Sequence, residues 1–201
     1  MFIDQGAHNY IQTLLPIFTV NELGWTNIAY SQFYATANLI GGIVGMFVGG
    51  FLIEKFGKKR MMNIYFFSMI LLFMVFASLK MLWVNTTFIC AFMIICNVLT
   101  TFISIGIFAI AMQCCWKKVS ASQFTLYMTI GNLGRIAMAA LIVPIKANFS
   151  WEITLFAFAA MIGFAWVLIQ FLNITKQVEG VVKLENKDIE KRGMMVTLAE
   201  V

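Results

Sequence analysis

One histidine, four cysteines and an arginine set deep in an apolar run are the residues of this sequence with chemistry to offer. Asp4 and His8 stand four apart, on one face of a helix, but two ligands fall short of the four that a tetrahedral metal site takes. Cys90, Cys96, Cys114 and Cys115 lie within or at the end of one apolar segment, which is no pattern for a disulfide framework. No GxxxxGK phosphate loop occurs. A metal, a cofactor and an enzyme activity are therefore not expected.

What remains is polarity laid in stripes along apolar segments. Asn97, Thr100, Thr101 and Ser104 recur at i, i+3, i+4 and i+7, and Gln5, Asn9 and Gln12 at i, i+4 and i+7, beside Asp4 and His8. Thr125, Thr129 and Asn132 make a third stripe, with Gln123 before it and Arg135 next to its face. Such stripes suit a polar pathway; they also suit hydrogen bonds between helices, worth about 0.6 kcal/mol each on average, and for the hydroxyls the second reading is preferred. Asp4 and His8 are the weak candidates for carrying a proton, since histidine titrates near physiological pH, though a lone histidine is equally a packing residue. Arg135 is the costly residue, at about 2.5–3.5 kcal/mol in the middle of a membrane helix. Its planar fork suits a bound carboxylate or phosphate; an acid elsewhere in the protein, or a span boundary placed differently, would also account for it.

The segments that carry these residues are long. Of 201 residues, 61% are hydrophobic and 11% charged, with a mean hydropathy of +0.88, where soluble domains carry about 25% charge. A polytopic, all-α membrane protein follows, with spans expected at 4–20, 31–53, 61–79, 88–113, 121–145 and 153–174, each near the roughly 20 residues needed to cross a bilayer. Lys55, Lys58, Lys59 and Arg60 fall in one loop, Lys117 and Lys118 in the next but one, and further bases in the tail, whereas the alternate loops hold only Lys80 and Lys146. By the positive-inside rule both termini are cytoplasmic. The net charge of +5 thus serves topology and gives no reason to expect a nucleic acid partner. Trp25, Trp83 and Trp151 are expected to anchor the outer ends at the lipid interface, and residues 176–201, with mixed charges, to form a solvated tail, with a docking helix as the alternative.

Gly41, Gly45 and Gly49 recur every fourth residue on a face shared with Tyr34 and Asn38, a spacing that lets two membrane helices approach to backbone contact, whether as a fixed crossing or a sliding one. The run ends in Glu54 among Lys55, Lys58, Lys59 and Arg60, which reads as a charge-locked turn with Gly57 in a left-handed conformation.

The stretch Gly50-Phe-Leu-Ile-Glu54-Lys55-Phe-Gly57-Lys58-Lys59 resembles the cytoplasmic loop motif of the major facilitator superfamily, with glutamate and lysine where aspartate and arginine are commoner. SASQFTLYMTIGNLGR, residues 120–135, is similar to the start of the eleventh helix in the muropeptide permease and peptide–acetyl-coenzyme A transporter branch. The resemblance covers residues 1–175 and implies the six-helix, C-terminal half of a transporter fold, in a bacterial inner membrane. It further implies a proton-coupled carrier of a small solute, and the polar residues of the spans would give it a pathway through Gln5, Asn9, Gln12, Asn38, Asn97, Thr101, Gln123, Asn132 and Arg135. Its partners would be the bilayer, the solute, and the missing N-terminal half or a second copy. The branch has an acid near the position of Asn97, and an amide cannot titrate. A membrane module that transports nothing, the relic of a split gene or a partner-binding subunit, is the alternative.

Overall fold

A computed structural model describes residues 1–171 and 173–199; the side chains of residues 3, 4, 143, 146, 147, 175 and 191–199 lie outside the described residues. The helices are α1 (Phe2–Asn21), α2 (Asn27–Val44), α3 (Gly50–Phe56), α4 (Lys58–Ser78), α5 (Thr86–Gln113), α6 (Ser120–Asn148), α7 (Trp151–Phe171) and α8 (Ile174–Ala199), with no strand among the described residues. A π-helical segment, Gly45–Gly49, joins α2 to α3, so that Asn27–Phe56 is one long apolar helix. Among the described residues, five helices are long and apolar enough to cross a membrane. At 20 residues, α1 has the length as well, about 30 Å, but Gln5, His8, Asn9 and Gln12 keep it less apolar than those five.

Starts and stops are local. Thr26 accepts the Ala29 N–H at 3.1 Å to open α2, and Asn85 accepts the Thr87 N–H at 2.9 Å to open α5. Gly57 ends α3 at φ +86, ψ 140, a positive-φ conformation open to glycine but outside the left-handed helical region that the motif suggested.

The helices pair as α1 on α6, α4 on α7 and α2 on α5, with α4 also against α5. Two of these crossings depend on glycine. A Cβ on Gly41 would lie 3.3 Å from the Asn97 backbone, and one on Gly45 would meet Thr101 Cγ2 at 2.3 Å. Between α1 and α6, a Cβ on Gly134 would come within 2.0 Å of the Phe2 carbonyl oxygen, and one on Gly6 within 2.6 Å of Met138. Away from the motif loop the core is aromatic: Phe76 stacks on Phe92 at 3.8 Å between centroids, and Phe18 meets Trp83 and Trp151 edge to face.

One expectation is corrected here. Trp83 and Trp151 are buried in the bundle and do not face lipid, because their indole N–H groups find acceptors inside, the Phe76 carbonyl at 3.0 Å and the Glu22 carboxylate. The tail is helical, and its described side chains are mostly exposed. Residues from Ile174 form α8, whose Glu185 and Asp188, three apart on one face, pair with Lys117 at 3.3 Å and Lys118 at 2.8 Å.

Gly134→Ala is expected to cost about 1–3 kcal/mol by overpacking against a backbone atom that cannot swing aside. Gly42→Ala, with nothing within 4 Å of the added carbon, should not destabilise the protein. Thermal unfolding of the detergent-solubilised chain compares the two; equal stability would refute the close crossing of α1 and α6.

Candidate functional site

The polar residues fall into two groups, each seated at a glycine crossing. In the first, α1 lies along α6. Asn9 donates its amide to the Arg135 backbone carbonyl at 2.9 Å, Gln5 is buried with its Cγ against Gly131, and His8 Nε2 and Gln12 Nε2 are 2.7 Å apart. With the amide donating, His8 Nε2 accepts and the ring proton lies on Nδ1. That atom is buried and finds no partner among the described residues. A cavity of about 20 Å³ borders His8, lined also by Ala7, Ile11 and Thr100. Arg135 is half-buried, and no carboxylate pairs with it among the described residues. The Asp4 side chain, the weak proton candidate, lies outside the described residues.

In the second group, Asn97 and Thr101 of α5 lie beneath Gly41 of α2 and Gly45 of the π-helical segment. Asn97 is buried and donates to the Met93 carbonyl at 2.9 Å. The hydroxyls of Thr100, Thr101, Thr125 and Thr129 likewise bond to the carbonyl four residues back, at 2.7, 2.9, 2.8 and 2.9 Å. Bonds between helices, the reading preferred for these threonines from the sequence, are not what they make. A hydroxyl one bond from the backbone reaches its own helix before it reaches a neighbour.

The remaining residues separate from these groups. Asn38 and Asn132 are exposed, as are Thr125 and Thr129, so the six-helix body presents polar groups outward from α2 and α6. Gln123 accepts the Trp116 N–H at 2.7 Å and thereby fixes the loop before α6.

At the motif loop the expected ion pairs do not form. Glu54 is exposed and unpaired among the described residues. Lys58 instead donates to the Ala109 carbonyl at 3.2 Å and to Gln113 Oε1 at 2.8 Å, and Lys59 to the Gln170 carbonyl at 3.4 Å. Lys55 lies 5.5 Å from the ring centres of Phe51 and Phe56. The cause is the field at a helix C-terminus, where unsatisfied carbonyls attract cations; α5 and α7 both end beside this loop. A third connection escaped the sequence reading. Asn63 of α4 accepts from Trp166 at 3.1 Å and also from Gln170, both on α7. Its only trace was an amide in one apolar segment and a Trp/Gln pair four apart in another.

A family model described as Major Facilitator Superfamily matches residues 1–139. No curated protein and no solved structure matches the chain.

Glu54→Gln is expected to change stability by less than about 0.5 kcal/mol, whereas Lys58→Met, which leaves Gln113 and the Ala109 carbonyl without their donor, should cost about 1 kcal/mol. Melting curves of the two variants test this; a larger loss from Glu54→Gln would reinstate the charge-locked turn.

Proposed function

The chain belongs to the major facilitator superfamily, a family of membrane transporters, and on that premise we propose that it is the C-terminal half of a secondary transporter for a small polar or anionic solute. Arg135 carries the reading. It stands half-buried in an apolar helix with no carboxylate partner among the described residues, and a solute carboxylate or phosphate would supply the anion its fork is built to hold. Asn9 fixes the backbone beneath it.

Asn38 on α2 and Thr125, Thr129 and Asn132 on α6 are exposed, and a second six-helix body set against them would enclose a polar pathway. Superfamily halves are related by an axis along the membrane normal, so that body is an N-terminal half or a second copy of this chain. Rocking of the two bodies would give alternating access. The similarity of residues 120–135 to the muropeptide permease branch favours a muropeptide-like solute, and the loop lysines favour cytoplasmic termini in a bacterial inner membrane. Proton coupling has less support in these residues, since Asn97 stands where the branch has an acid and its amide is spent on the Met93 carbonyl.

Uptake of a radiolabelled muropeptide tests the reading in two steps. Flux into vesicles holding this chain alone would identify the second body as another copy; flux only after an N-terminal half is added would identify that half, and none under either condition leaves a module that does not transport. Arg135→Lys should insert normally and lose roughly tenfold or more of the uptake, because a point charge cannot replace a planar fork. Wild-type rates in that variant would remove Arg135 from the mechanism.

A further inference from the structure

A cavity of about 750 Å³ opens at the motif loop, well apart in sequence from Arg135, and its polar lining is Glu54, Lys58, Lys59, Gln113, Gln170 and Asn173. Three apolar helices reach their ends around it, α4 at Lys58, α5 at Gln113 and α7 at Phe171. That places the cavity at the depth where hydrocarbon gives way to headgroups.

Neither lysine on its lining is paired with an acid among the described residues. The acceptors of Lys58 and Lys59 are the Ala109 and Gln170 carbonyls and the Gln113 amide, all uncharged. Each ammonium has three protons; Lys58 uses two and Lys59 one, so both retain donors for a ligand. The first turn of α4 adds to this, with no acidic residue and a side-chain-free cap at Gly57. Glu54 is the one acid on the lining and lies on the other side of Gly57 in the chain. Beside these polar groups the wall is apolar, formed by Ile53, Ile174 and Phe171, the last with 81% of its surface exposed.

Lysines with free donors, next to apolar wall at headgroup depth, match an amphiphile with an anionic head. We propose that this cavity binds the phosphate group of an anionic phospholipid, with Lys58 and Lys59 on the phosphate and an acyl chain over Phe171. Because the same two lysines reach the ends of α5 and α7, the headgroup joins the loop to both helices. The proposal holds whether or not the chain moves a solute.

Native mass spectrometry of the full chain, titrated with phosphatidylglycerol, with phosphatidylcholine of the same acyl composition and with inorganic phosphate, provides the test. One phosphatidylglycerol should bind, at least about fivefold more tightly than phosphatidylcholine. Lys59→Gln, which removes only a 3.4 Å bond, should weaken it about fivefold, and Lys58→Gln with Lys59→Gln further still. Lys183→Gln with Lys187→Gln takes the same charge from exposed positions on α8 and should leave binding unchanged. Equal binding of the two lipids, or unaltered binding by folded Lys59→Gln, would overturn the site. Displacement of the lipid by an equal concentration of inorganic phosphate would uphold a phosphate site and overturn the lipid as its source.

Discussion

Everything in this body depends on how closely two pairs of helices can lie. In lipid, apolar side chains gain nothing by turning from tails to one another, so helices associate through contact at short range. Gly41, Gly45 and Gly49 give α2 that contact with α5, and Gly6, Gly131 and Gly134 give it to α1 with α6. The same approach assembles the polar groups. Asn97 and Thr101 are where they are because Gly41 and Gly45 lie on them, and the Arg135 carbonyl is within reach of Asn9 because Gly134 is its neighbour. Packing and site are one construction.

The two ends of the bundle are held by unlike means. Away from the motif loop, rings stack and indole N–H groups turn inward, and Lys80, between α4 and α5, pairs with Glu152 in the first turn of α7. At the loop end, lysines reach helix C-termini over neutral acceptors. The first arrangement is dry and shape-specific. The second is polar and more exposed, at the end that carries the charged tail helix.

Much of the architecture was legible in the sequence because its cause is a count: long apolar runs with charges gathered between them can only be membrane helices, and glycine every fourth residue marks a face. Partners were harder to read. Glu54 lies among four bases in sequence, yet chain proximity says nothing of the carbonyls at the ends of α5 and α7 that draw Lys58 and Lys59 away. Trp83 and Trp151 look like interface residues until the acceptors that bury them are known. The threonines gave the right segments and the wrong bonds, since a hydroxyl's nearest acceptor is its own helix. Asn63 gave almost no signal, because its partners lie more than a hundred residues along the chain.

The π segment at Gly45–Gly49 has a bearing on how the second helix delivers its loop. A π turn holds an additional residue, and each residue of an α-helix advances about 100° around the axis. The azimuth of everything after Gly49 is therefore set by that insertion. Were the segment to relax to α-helical winding, Glu54 and Lys55 would swing by roughly a quarter turn about the helix axis relative to Gly41 while the helix kept its course through the bilayer. Such a rewinding would give the helix a torsional degree of freedom between its middle and its end, independent of any tilt.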